Sequence, residues 1–141
     1  MILGATTVWS DEVAVAAPSA TRTAQEVRMD RQTVSVKGRL LCSGQPSTST
    51  QSRVQLVNKR IGQDDVQKMY PSKDGTFAVT LVVESIAKMT PQLDIFTSCN
   101  AAPAQCRLIT LSVPDRYVDA ANPYDVGSLH LETRLDDESS C

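Results

Sequence analysis

Between Thr33 and Leu131 one arrangement recurs: a short stretch with every second residue apolar, then a cluster of Gly, Pro, Ser, Asn or Asp. Successive side chains of a strand point to opposite faces, so a period of two marks a strand with one buried face. In "TVSVKGRLLC", Val34, Val36, Leu40 and Cys42 share one face, and Ser35, Lys37, Arg39 and Leu41 share the other. "RVQLVNK" turns Val54 and Leu56 inward, and "TFAVTLVV" aligns Phe77, Val79, Leu81 and Val83. "QLDIFTSC" aligns Leu93 with Ile95, and "RLITLSVP" aligns Ile109, Leu111 and Val113. "DVQKMYP" reads as a weaker strand, ended or held to an edge by Pro71. "YDVGSLHLET" aligns Leu129 with Leu131 and sends His130 outward. Asp74-Gly75 is a hairpin signal, because glycine tolerates positive φ. Seven short strands and no long helical period predict an all-β, two-sheet sandwich.

The cysteines constrain the chemistry. Cys42, Cys99, Cys106 and Cys141 lack the close pairs of a structural zinc site and the C-x-x-C of a redox motif. With one histidine, His130, a Cys–His nucleophile has a single candidate and no supporting motif. An even count at wide spacing reads as two disulfides and an oxidising compartment, with no metal and no cofactor. The length of 141 residues fits one domain with a tail. Residues 1–31 have no clear period and are expected to be a flexible arm, or a segment foreign to the natural chain; residues 32–141 are the sandwich domain. Met1–Val13 lacks the basic and long apolar regions of a secretory signal. Aromatics make up only 4% of the chain, so Val, Leu and Ile must supply most of the core.

Charge is uneven along the chain. Thr33–Gly75 holds seven Lys or Arg against three Asp, and Asp115–Cys141 holds seven acids against two arginines. The last stretch reads as an acidic, solvated tail. Nucleic acid is disfavoured, because the chain is not basic overall and no aromatics are interleaved with its cations. No apolar run is long enough to span a bilayer as a helix. No N-x-S/T acceptor occurs, so N-glycosylation is not expected.

The order of motifs resembles the nematode transthyretin-like family. "VSVKGRLLCSGQP" resembles the family's first strand, "VQLVNK" its second, and "SKDGTFAV" its D-x-x-G-x-F turn. "LDIFTSCN" resembles its L-x-I-x-H-x-C stretch, with Thr97 near where a histidine is usual. "CRLITLSVPDRYV", "YDVGSLHLE" and a final cysteine complete the pattern. The resemblance implies a seven-stranded, disulfide-stabilised sandwich of transthyretin-like (prealbumin-like, immunoglobulin-like) architecture, in a secreted, extracellular protein. It also implies the bridges Cys99–Cys106 and Cys42–Cys141.

Three functions follow as expectations. The first is a non-enzymatic binding or adaptor protein that joins an extracellular receptor or a host protein to anionic lipid, phosphatidylserine, as in recognition of apoptotic cells. Its candidate ligand-binding residues are Arg53, Lys59, Arg60, Ile61, Lys68 and Tyr70, cations beside apolar groups; the rival reading is a charged edge that blocks strand-to-strand association. The second is a carrier of a small apolar ligand, by analogy with vertebrate transthyretin. The third is a hydroxyisourate-hydrolase-type enzyme, which this sequence fits poorly: that chemistry uses several histidines and a Tyr-Arg-Gly-Ser-type ending, and here there is one histidine and a "LDDESSC" ending. No catalytic residue is assigned, and a monomer is favoured.

Overall fold

The computed structural model describes residues 30–103, 105–134 and 138–141. The expected arm lies outside the described residues except for Asp30 and Arg31, which are already in a strand, paired with Ser85 and Glu84. The described residues form nine strands in chain order: β1 (Asp30–Cys42), β2 (Gln45–Pro46), β3 (Ser52–Asn58), β4 (Asp65–Met69), β5 (Thr76–Ser85), β6 (Pro91–Thr97), β7 (Arg107–Ser112), β8 (Tyr124–His130) and β9 (Glu138–Ser140). The first sheet is centred on β1, which pairs with β5, the short β2 and β8. The second runs β4-β3-β6-β7-β9 and is antiparallel throughout. The seven expected strands are all present. The two additions are β2, a two-residue return after β1, and β9, which lies in the stretch expected to be solvated tail.

The alternation places the core as expected. Val34, Val36 and Leu40 of β1 and Val79, Leu81 and Val83 of β5 face Val54 and Leu56 of β3, Leu93 and Ile95 of β6 and Ile109 of β7. All are buried, and most have no accessible surface. Met89, from the β5–β6 connection, is a further core residue outside the strands. It is placed by Gln32, whose side chain donates to Ala87 O at 2.9 Å and accepts from Met89 N–H at 2.7 Å. At one end of the core Ser47, Ser52 and Thr97 link their hydroxyls at 2.6 and 2.7 Å, and Thr97 also accepts from Cys99 N–H at 3.0 Å.

The pairing of β1 with β8 is parallel, and its register shifts between Lys37 and Arg39. Gly38 sits at that shift, where a Cβ would collide with the side chain of Val126. Asp74-Gly75 forms the expected turn, with Gly75 at φ +83° and its N–H donating to Ser72 O at 2.9 Å. The turn does not close a hairpin: β4 belongs to the second sheet and β5 to the first. Pro71 lacks the N–H that would continue β4, so the turn instead carries the chain across the sandwich.

All four cysteines are in disulfides, but the pairing differs from the expected one. Cys42 joins Cys99, and Cys106 joins Cys141, with Cα separations of 5.9 and 5.5 Å. Side-chain parity explains why. Ile95, Thr97 and Cys99 follow one inward face, and Leu40 and Cys42 follow the facing one, so the first bridge crosses between the sheets. Arg107 is the inward residue paired with Thr97, so Cys106 next to it points to the other side. Cys99 and Cys106 are therefore turned apart, despite being close in sequence. The second bridge ties β7 to β9 within one sheet, where Cys141 N–H donates to Cys106 O at 3.3 Å. The bridges span sequence separations of 57 and 35. Chain-entropy reasoning puts each at about 4 kcal/mol.

Candidate ligand-binding surface

The six expected ligand-binding residues do not form one cluster. β3 and β4 run antiparallel, and the six divide between the two ends of that pair. At one end, the β3–β4 connection presents Lys59, Arg60 and a fully exposed Ile61. Two neighbouring carboxylates answer the cations there. Lys59 Nζ lies 3.2 Å from Asp64, and Arg60 Nη2 lies 2.7 Å from Asp65, which also accepts from Asn58 at 3.0 Å. Exposed pairs of this kind add little stability. They do cancel much of the positive field that Lys59 and Arg60 suggest in sequence.

Arg53, Lys68 and Tyr70 gather at the other end. Lys68 is opposite Gln55 on β4, the exposed edge of the second sheet. Tyr70 is half-exposed and lines two hollows. The larger, of about 630 Å³, spreads over the outer face of the first sheet between Lys37, Arg39, Met69, Phe77 and Asp125. The smaller, of about 220 Å³, lies between Arg53, Tyr70, Phe96 and the polar run from Ser49 to Ser52. Arg53 is half-buried, and its guanidinium stacks on the Phe96 ring, 4.1 Å from the centroid. Cations and apolar rings therefore do occur side by side on this surface, around Tyr70 rather than at the tip of the β3–β4 connection.

One charged site escapes the sequence reading. Arg107 is almost fully buried at the start of β7 and forms a bidentate pair with Glu138 of β9, at 2.6 and 2.8 Å. The same guanidinium donates to Cys99 O at 2.7 Å, to Thr133 O at 2.9 Å and to Leu131 O. Arg134 also reaches Glu138, at 2.6 Å. The Glu138 hydrogen bonds raise the Arg107 pKa further above its ordinary value, against the opposing effect of burial. Glu138 is thus part of the fold, not of a solvated tail. The sequence held a signal for this: Arg107 occupies an inward position in the β7 alternation, and a charge there requires a partner.

His130 is exposed and 3.7 Å from Glu132. The Glu132 carboxyl lies below its usual range because it accepts its own N–H and that of Ser43, with a smaller contribution from His130. No group of three or more His, Cys, Asp or Glu is placed to hold a metal among the described residues. No helix among them is long and apolar enough to cross a membrane.

Comparison with known proteins agrees with this architecture. The transthyretin-like family profile matches residues 37–114. Transthyretin-like protein 5 of Caenorhabditis elegans is 26% identical over 106 residues, covering 71% of this chain and 76% of that one. Transthyretin-like protein 46 is 27% identical, covering 74% and 63%, and transthyretin-like protein 2 is 27% identical, covering 78% and 82%; both are from the same organism. The family profile, matched over more than half of the chain, and these relatives make this chain a member of the nematode transthyretin-like family.

Proposed function

We propose that the protein is an extracellular, non-enzymatic binding or adaptor protein that meets its ligands at its surface. Family membership supports a binding or carrier role, and two disulfides fit an oxidising, extracellular setting. The observation that carries the surface reading is the filled interior. Val36, Leu40, Val54, Leu56, Leu93, Ile95, Ile109 and Leu131 meet between the sheets at 0% exposure, which favours packing over an internal ligand chamber.

The surface best suited to an anionic membrane is the one around Tyr70. Lys37 lies there with Met69 and Tyr70, beside Arg39, which is 3.8 Å from Asp74, so cations attract head groups while apolar side chains enter the interfacial layer. An adaptor would use this face for phosphatidylserine and leave the far loops for a receptor. Co-sedimentation with phosphatidylserine/phosphatidylcholine vesicles tests it. The expected result is retention that exceeds that on pure phosphatidylcholine and falls as salt rises. Equal retention on both vesicles overturns the lipid reading.

A further inference from the structure

We propose that the hollow between Arg53, Phe96 and Tyr70 is a binding site for a small oxyanion of the phosphate-monoester class. This deepens the surface-binding reading, and rests on it only in placing ligand recognition outside the core.

Arg53 is held where a free cation would not be expected. β3 pairs it directly with Phe96 of β6, and the guanidinium lies flat over that ring. Its Nε is buried and has no hydrogen-bond partner among the described residues. Four arginines are answered by carboxylates: Arg39 by Asp74, Arg60 by Asp65, Arg107 and Arg134 by Glu138; Arg116, like Arg53, lies over an aromatic ring, that of Tyr117. No such ion pair is formed by Arg53 among the described residues, and no carboxylate lines its hollow. The acid on that face of β6, Asp94, lies opposite Gln55 rather than Arg53, and its Oδ1 accepts from Gln92 at 2.9 Å and Thr110 at 3.1 Å.

The rest of the lining suits an anion. Ser49, Thr50 and Ser98 bring hydroxyls to the rim, and Tyr70 adds a phenol. Stacking leaves the edge of a guanidinium available, and that edge offers paired N–H donors matching two oxygens of a phosphate. A volume of about 220 Å³ is several times the share of one water, about 30 Å³. A phosphate group fits with part of its ester substituent against the Phe96 and Tyr70 rings. The same chemistry is available from a soluble phosphate ester or from a lipid head group with a terminal phosphate.

Amide and side-chain NMR shifts of the intact, oxidised protein, titrated with inorganic phosphate, test the site. The expected result is saturable shifts centred on Arg53, Phe96, Tyr70 and Ser98. Arg53→Gln should weaken binding about tenfold or more, and Arg53→Lys, which loses the fork, should weaken it nearly as much. Phe96→Leu, which removes the stacking wall, should weaken it too, and serves if Arg53→Gln does not fold. The Lys59→Gln/Arg60→Gln double variant should bind phosphate as the wild type does. Absence of saturable shifts, shifts unchanged in Arg53→Gln, or shifts centred on Lys59 and Arg60 overturn the site. Phosphatidic acid vesicles then identify the source: binding that depends on Arg53 assigns a lipid head group, and phosphate binding without vesicle binding assigns a soluble ester. Phosphatidylserine retention that survives Arg53→Gln in a phosphate-silent protein removes this site and leaves the membrane reading intact.

Discussion

Arg107 carries more of the architecture than any other polar residue described here. Its guanidinium satisfies a carboxylate of β9 and the carbonyls of Cys99, Leu131 and Thr133 at once. Truncation removes the bidentate partner of Glu138 and strands the carbonyls in low-dielectric surroundings, so Arg107→Ala should cost about 3–5 kcal/mol in urea unfolding. Arg107→Lys should recover little, because an ammonium cannot reproduce the planar fork. Asp74 acts at the surface instead. It accepts from the Thr76 hydroxyl at 2.6 Å, the Ser72 hydroxyl at 2.8 Å and Thr76 N–H at 3.1 Å, which together hold its carboxyl far below the usual range. A carboxylate depressed in the folded state stabilises it above the unfolded value, about pH 4, and loses that contribution as pH falls toward the folded value. Thermal unfolding followed from pH 5 to about pH 2 should therefore fall less steeply in Asp74→Asn than in the wild type. The core was legible at this scale because Val, Leu and Ile report their face by parity alone. Arg53 was legible as a cation, but not as one stacked on Phe96, because that contact depends on the β3–β6 register.

The elements show how local signals were overruled by topology. Asp74-Gly75 marks a turn in any context, yet whether a turn closes a hairpin depends on which sheet each flanking strand joins. Gly75 is needed for both reasons: its φ is +83°, and a Cβ would collide with Leu40 O. Gly75→Ala should destabilise by more than the roughly 1 kcal/mol typical of relieving glycine's entropy alone would offset, read as a lowered thermal midpoint. The two bridges should also separate in experiment. Replacing Cys106 and Cys141 together by alanine should free β9, raising its amide exchange while β3 and β6 stay protected. Replacing Cys42 and Cys99 together should lower protection in both sheets, because that bridge joins them. β9 escaped notice in the sequence since three residues, Glu138, Ser139 and Ser140, carry no apolar alternation; they are held by β7 and by Arg107.

As a whole molecule the protein is two sheets closed on an apolar core and braced by two disulfides. The sandwich followed from seven alternating segments, and the family from their order. The division of Lys59, Arg60 and Ile61 from Arg53, Lys68 and Tyr70 did not, because sequence distance along an antiparallel pair hides which end each residue occupies. The bridge pattern underlies the whole account, since it sets which strands are tied and leaves no thiol for chemistry. Disulfide mapping by mass spectrometry of the unreduced protein tests it directly. Trypsin leaves Cys99 and Cys106 on one peptide, Met89–Arg107, so a second cut at the alanines between them is required. The account predicts a Cys42 peptide joined to a Cys99 peptide, and Cys106 joined to Cys141. A Cys42–Cys141 or Cys99–Cys106 link, or a free thiol at any of the four, would contradict it.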